Sequence, residues 1–315
     1  MRIFRHYKDV PDAYKGAVVA VGNFDGVHLG HQALLGAARD MARERSASFG
    51  VLAFEPHPQE FFRPSPESFR LTPFHAKARL IAELGADVLY ALHFDAEMAA
   101  KSAEDFVMDV LVDALAVGAV VVGRDFQFGK GRAGDAALLG YMGEMEGFGV
   151  TLFDPVMAHG HDKISSTEIR DALKAGKPEI AARLLGHHWG IEARVEHGDK
   201  RGRTIGFPTA NMRLDDCLKP AFGIYAVRAK IIEEGCVVAV HDGVANFGIR
   251  PMFETDVPLL ETHLFDFAGD LYGKHMAVEL IAYLRPEAKF DSLDALVAQM
   301  NRDSETARKA LATAP

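Results

Sequence analysis

Cysteine is almost absent from this 315-residue chain. Cys217 and Cys236 have neither the short spacing of a metal knuckle nor a CxxC redox pair, which excludes a disulfide scaffold and fits reduced thiols in a reducing cytoplasm. Long apolar runs are missing too. The longest, Ala114 to Gly123, falls well short of the ~20 residues that a membrane span requires, and the charged stretch Met1 to Val10 has no apolar core of an export signal. The expectation is a cytoplasmic chain without membrane insertion. Positive charge is in deficit, with 35 Lys and Arg against 44 Asp and Glu for a net −9. Such a field repels polyphosphate backbones and anionic lipid surfaces, so a general nucleic-acid binder is excluded. Internal repeats and low-complexity segments are not apparent, and 49% hydrophobic with 25% charged residues describes an ordinary globular protein.

At roughly 150 residues per domain the length suggests two domains. From Gly16 to Leu185, β-branched runs alternate with helical patterns: Val18–Val21, Leu29–Arg45, Phe49–Phe54, Val88–Phe94, Ser102–Leu115, Ala119–Val122, Asp135–Phe148 and Val150–Phe153. Alternation of this kind predicts an α/β, Rossmann-like doubly wound parallel sheet, whose ligands bind beyond the carboxyl ends of strands. After Gly186 the pattern becomes strands separated by turn residues: Gly190–Glu196, Gly223–Ile232, Cys236–His241, Thr262–Phe267 and Ala277–Leu284, with Asp242-Gly243 and Phe267-Ala268-Gly269-Asp270 as turns. A small antiparallel β-barrel is expected there. It is followed by a helix from Ser292 to about Leu311, whose stripe Leu293, Leu296, Val297 and Met300 is expected to pack on the barrel. The domains are placed at residues 1–185 and 186–315.

Gly129-Lys130-Gly131-Arg132-Ala133-Gly134 matches the dinucleotide fingerprint GxGxxG, with Asp154 downstream. In a true fingerprint the first glycine turns directly off the strand, whereas Asp125-Phe126-Gln127-Phe128 intervenes here. The same stretch fails as a P-loop, because Gly131 stands where Ser or Thr should bind magnesium. Two other segments are better placed. The strand Val18–Val21 runs into Gly22-Asn23-Phe24-Asp25-Gly26-Val27-His28-Leu29-Gly30-His31-Gln32, with His28 and His31 on one helical face. Imidazoles at a helix start can donate to phosphate oxygens and stabilise charge during attack on an α-phosphorus; helix capping and an HxxH zinc pair are the alternatives. Ile164-Ser165-Ser166-Thr167-Glu168-Ile169-Arg170 opens a second helix that ends after Gly176, either as a capping box from Ser165 to Glu168 or as an anion cradle completed by Arg170.

Together, Gly22–Gln32, Phe54-Glu55-Pro56-His57-Pro58, Gly123–Gly129 and Ile164–Arg170 resemble the adenylyltransferase half of the bacterial bifunctional riboflavin kinase/FAD synthetases. This reassigns the glycine-rich segment to that family's GxxFxFG loop and implies a nucleotidylyltransferase-type sheet. By the same resemblance His28 and His31 work on the ATP phosphates, beside Gly22, Asn23, Phe24, Asp25 and Gly26. Ser165, Ser166, Thr167 and Arg170 hold the nucleotide, and Asp125 contacts substrate. Pro56, Pro58, Phe62 and Phe128 face the flavin ring, with plain core packing as their alternative.

The second half opens with Gly198-Asp199-Lys200-Arg201-Gly202-Arg203-Thr204-Ile205-Gly206-Phe207-Pro208-Thr209-Ala210-Asn211. Glycines with Lys200, Arg201 and Arg203 suit a phosphate tail, with a solvated basic turn as the alternative, and the oxygens of Thr209 and Asn211 are hard ligands suited to Mg²⁺. The stretch resembles the GxTxGxPTAN signature of riboflavin kinases, which places Gly198, Lys200, Gly202, Arg203, Thr209 and Asn211 at ATP and its magnesium. Gly243–Pro251 and Glu261–Phe267 continue the match. Phe247 and Met252 stand where the family has Ile and Thr, departures that bear on nucleotide or flavin affinity. An acid at the start of an apolar strand could be a solvated strand end, but the resemblance makes Glu261 the base for the ribityl hydroxyl.

The resemblance implies an enzyme that makes FMN from riboflavin and ATP, then FAD from FMN and ATP, with Mg²⁺ screening phosphate charge. It names small-molecule partners (riboflavin, FMN, FAD and ATP) and no obligate protein partner. One competitor is an adenylyltransferase for another acceptor, which would lack the barrel. The other is a non-catalytic flavin- or nucleotide-binding regulator.

Overall fold

A computed structural model describes residues 1–8, 10–65, 67–157, 164–197, 205–214, 217–249 and 258–314. Gly198, Lys200, Gly202, Arg203 and Met252 lie outside them. The chain forms two compact units, Met1–Pro66 with Thr72–Ser165, and Glu67–Leu71 with Ser166–Pro315.

In the first unit, strands β1 (Arg2–Phe4), β2 (Val18–Val21), β3 (Phe49–Glu55), β4 (Val88–His93) and β5 (Ala119–Gly123) precede a short ribbon, β6 (Gln127–Phe128) and β7 (Gly134–Asp135), and then β8 (Gly149–Phe153). All but the ribbon join one parallel sheet in the order β1-β4-β3-β2-β5-β8. Both faces are buried, and successive residues alternate between two cores. Val19, Val21, Leu52, Tyr90, Leu92, Val120 and Val122 enter one core, and Val18, Ala20, Val51, Leu89, Ala91 and Val121 the other. Fully burying each Val or Leu contributes about 1.5–3 kcal/mol, so burial on both faces is a large part of what holds the sheet.

The strand order reverses between β2 and β5, which pair side by side. The loops leaving these two strands therefore border the crevice where doubly wound sheets bind ligands. The ribbon settles the glycine-rich segment as well: β6 and β7 are antiparallel, and a Cβ on Gly129 would lie 2.6 Å from the Ala103 backbone. Gly129 thus permits close chain approach, and Asp154, the acid of the rejected fingerprint, ion-pairs with Arg124.

In the second unit β9 (Gly190–Arg194), β10 (Ala210–Arg213), β11 (Gly223–Glu233), β12 (Cys236–Gly248), β13 (Leu259–Leu264) and β14 (His275–Arg285) form an antiparallel sheet in the order β10-β13-β12-β11-β14-β9. Its ends meet where Glu196 N–H donates to Asn211 O at 2.8 Å, making a near-closed barrel. Two sequence expectations need correction. Asp242-Gly243 is strand, because Asp242 pairs with Arg228 at 3.1 Å and a Cβ on Gly243 would stand 2.5 Å from His263 O, so glycine here serves close strand approach. The Glu261 strand starts earlier, at Leu259, which places Glu261 inside β13.

The closing helix, Leu293–Thr313, is capped by Ser292 and packs Ala307 and Leu311 against Ala226 and Ile281. Its first turn differs from the expected apolar contact: Leu293 is exposed, while Leu296 and Met300 border a cavity. The buried Asp303 takes the Arg285 guanidinium in a two-pronged pair at 2.9 and 2.6 Å and fastens this helix to β14. Helices Ser166–Lys174 and Pro178–Leu185 belong to this unit, the second packing on β14. Trp189, fully buried, donates to Leu71 O at 2.7 Å.

Candidate active sites

Beyond β2 the backbone turns sharply. Phe24 and the β-branched Val27 take φ of +50° and +44° while buried at 1% exposure, and Val27 N–H closes the turn on Phe24 O at 3.2 Å. Strain of this kind persists only where surroundings impose it. Here Thr72 supplies part of that frame. Its N–H donates to the buried Asp25 carboxylate at 3.1 Å, and its hydroxyl accepts from Gly26 N–H at 3.1 Å. Asp25 is therefore a loop-fastening residue in this geometry, and Asn23 is exposed beside it.

The turn delivers His28 to the N-cap of helix Leu29–Glu44, where its Nδ1 accepts the His31 N–H at 3.3 Å. A neutral imidazole whose Nδ1 accepts carries its proton on Nε2, leaving Nε2–H as the donor. The His31 ring stacks on His28 with centroids 3.6 Å apart, and Phe24 meets the edge of His31 at 5.3 Å. Gly30 gives this stack room, because a Cβ there would lie 3.1 Å from His28 Cε1 and the ring would have to shift by a few tenths of an ångström. Across the switch point Asp125 is exposed after β5, in a turn closed by Phe126 N–H to Gly123 O at 3.0 Å. The neighbouring Asp154 carboxylate holds the Arg124 guanidinium above its ordinary pKa.

At the end of β3, Pro56 and Pro58 are half-buried, and His57 caps the short helix Pro58–Phe62. Phe62, 62% exposed, packs with Phe61 and Phe94 at centroid distances of 5.3 and 5.7 Å. Phe94 leans in turn on Phe54, and Phe54 on Phe106. Phe128 lies at the inner end of this row, buried in the core against Phe106 and Phe126. Core packing is thus what the fold gives Phe128, whereas Phe62 offers an open ring face. Phe61 and Phe94 had no sequence motif to mark them.

Arg170, Ser166 and Thr167 stand on the first turns of helix Ser166–Lys174, with Ser165 just before it. The Arg170 guanidinium donates to Phe69 O at 2.8 Å and covers the Phe69 ring.

In the barrel, strand register does what no sequence spacing could show. Asn211 on β10 stands directly opposite Glu261 on β13, and Glu261 directly opposite Asn246 on β12. Burial along β13 alternates: Leu260, Thr262 and Leu264 are buried, and Leu259, Glu261 and His263 lie on the other face. Thr209, Asn246, Glu261 and His263 line a cavity of about 320 Å³. Its remaining wall is largely apolar, with Phe207, Ile224, Phe290, Leu296 and Met300. Arg285, Glu287 and Asp303 also line it, so the cavity offers both polar groups and apolar surface. The amide oxygen of Asn211, a 5%-exposed residue, has no hydrogen-bond partner among the described residues. An orphaned hard oxygen beside a carboxylate and the Thr209 hydroxyl is a donor set that fits a small divalent cation. Phe247 is fully buried on the opposite face of β12 against Phe222, so this departure from the family pattern falls in the core.

Among the described residues no helix is long and apolar enough to cross a membrane. A family model described as FAD synthetase matches residues 10–168, and one described as riboflavin kinase matches 185–311. The bifunctional riboflavin kinase/FMN adenylyltransferase of Escherichia coli K12 is 43% identical over 310 residues, covering 98% of this chain and 97% of the relative. The protein of that description from Haemophilus influenzae is 38% identical, covering 98% of both chains, and that from Listeria monocytogenes is 38% identical, covering 97% and 96%. Among solved structures, a Streptococcus pneumoniae protein described as a macrolide-efflux protein is 31% identical, covers 97% of this chain and 98% of its own, and superposes with a TM-score of 0.83. Both halves are matched by one set of relatives along their whole length, and the chain belongs to the bifunctional riboflavin kinase/FMN adenylyltransferase family.

Proposed function

We propose that the barrel unit converts riboflavin to FMN and that the switch point of the parallel sheet carries the conversion of FMN to FAD, each step using one ATP. The observation that carries this reading is Glu261, in register with Asn211 and lining a cavity that combines polar groups with apolar surface. A flavin is a flat ring with a polyol tail, and that cavity has a place for each part.

In the first step the Glu261 carboxylate accepts the proton of the ribityl 5′-hydroxyl as its oxygen attacks the γ-phosphorus of ATP, and ADP leaves. Asn211 Oδ1 and the Thr209 hydroxyl would hold Mg²⁺, which when bound neutralises charge on the transferring phosphate. Gly198, Lys200, Gly202 and Arg203 are assigned to the ATP phosphates on the family pattern. In the second step a phosphate oxygen of FMN attacks the α-phosphorus of ATP, and pyrophosphate leaves. His28 Nε2–H, with its tautomer set by the cap, and His31 donate to the phosphate oxygens as charge builds there. Gly22, Asn23 and Gly26 give the nucleotide close approach to the backbone. Ser165, Ser166, Thr167 and Arg170 are assigned to the nucleotide, and Asp125 to the substrate, by the same pattern. Phe62, Pro56 and Pro58 stack on the flavin ring, and Phe128 backs the aromatic row from the core.

Cys217 and Cys236 form no disulfide, which suits the reducing cytoplasm. Incubation with riboflavin, ATP and Mg²⁺, followed by chromatographic separation of flavins, should show FMN and then FAD. Absence of both products with retained flavin binding would replace this reading by a non-catalytic regulator.

A further inference from the structure

Asn246 has no part in the chemistry assigned above, yet it stands directly opposite Glu261 on the side away from Asn211 and lines the same cavity. Its amide oxygen is buried, with no hydrogen-bond partner among the described residues. The in-register neighbours explain why. Glu261 flanks it on β13, and an ionised carboxylate has no proton to donate; Ile224 flanks it on β11, and its side chain is apolar. A buried acceptor in that position loses its hydration unless something else supplies a donor. Asn246 shares this cavity with the carboxylate proposed to take the ribityl proton, and a polyol bound there would bring several O–H donors.

We propose that the Asn246 side-chain amide oxygen accepts a hydrogen bond from a ribityl hydroxyl, so that the kinase site selects a polyol-bearing flavin over the bare ring and presents the terminal hydroxyl to Glu261. The inference rests on the kinase reading of this cavity. Asn246 binds substrate here and takes no proton.

The full chain carrying Asn246→Leu, and separately Asn246→Ala, should be assayed for riboflavin phosphorylation with lumiflavin, which carries a methyl group in place of the ribityl chain, as competitive inhibitor. Loss of one hydrogen bond should raise the KM for riboflavin roughly 3- to 10-fold and leave the inhibition constant of lumiflavin unchanged. The melting temperature of the unliganded chain should not fall, because each variant removes an unsatisfied buried acceptor. FAD formation from FMN should run at the parental rate and report that the chain is folded. Equal weakening of both flavins, no change in riboflavin KM, or a shift confined to the Mg²⁺ requirement would each overturn the assignment. A parental chain on which neither flavin acts would overturn the kinase reading itself, and this inference with it.

Discussion

In the parallel-sheet unit the side chains proposed for chemistry stand just past strand ends, within a few residues of one another: Gly22 to His31 after β2, on a loop and the first turn of the helix it opens, and Asp125 in the turn after β5. In the barrel itself the proposed kinase residues stand on strands. Asn211, Asn246 and Glu261 come together only because β10, β13 and β12 pair in one register. The first arrangement is built locally, by a strained turn, a helix cap and one glycine that makes room. The second is built by long-range pairing, and a one-residue slip would turn its side chains to the other face. Local construction leaves a motif in the sequence, and register construction leaves scattered residues.

The comparison breaks most visibly at Glu261. Glu261→Gln keeps shape and hydrogen bonding and removes the basic site, so turnover of riboflavin should fall by roughly 10²–10⁴ with little change in KM. Steady-state kinetics checks this, and normal FMN formation would return Glu261 to a solvated strand position. His31→Ala removes a donor needed while AMP is transferred and should cost FAD formation on the order of 10²–10³, with riboflavin phosphorylation retained. A coupled pyrophosphate-release assay measures it.

Separability sharpens the contrast. Helices Ser166–Lys174 and Pro178–Leu185, which carry the buried Ile169, Leu173, Ala181 and Leu185, pack on each other, and the second packs on β14. A fragment of residues 166–315 should therefore phosphorylate riboflavin and make no FAD, and one beginning at 187 should melt at a lower temperature by scanning calorimetry. Equal stability of the two fragments would show that these helices contribute nothing to the barrel. The smallest effect is expected at Gly30→Ala. Its Cβ must push the His28 ring, 3.1 Å away, off its stacked position, and a donor displaced by a fraction of an ångström should slow FAD formation by about tenfold.

The two halves were legible in the sequence to different depths for the same physical reason. The alternation of Val-rich runs with helical stripes announced a doubly wound sheet, because strands buried on both faces have a composition of their own. His28 and His31 could be proposed from their place after a strand, and Asp125 only from the family resemblance. Helix Phe74–Glu83, with its Thr72 support for Asp25, left no comparable mark, since Thr72 acts across 47 residues of chain. In the barrel Thr209, Asn211 and Glu261 were found through a family signature, and their spacing alone carried no geometry. Asp242-Gly243 read as a turn because the two residue types favour one; the cross-strand partner Arg228 and the close pass of His263 make it strand. Asn246 was invisible as a site residue for want of the β12–β13 register.

The central claim is that one chain holds two chemically independent sites, one built from strand ends and helix starts and one on paired strands. Its most direct test is the flavin product pattern, by chromatography, of Glu261→Gln and His31→Ala, each supplied with ATP and either riboflavin or FMN. The account predicts a crossed result. Glu261→Gln leaves riboflavin largely unconverted but turns FMN into FAD at the parental rate, and His31→Ala turns riboflavin into FMN that accumulates. Loss of both products in either variant, with the chain still folded, would contradict it.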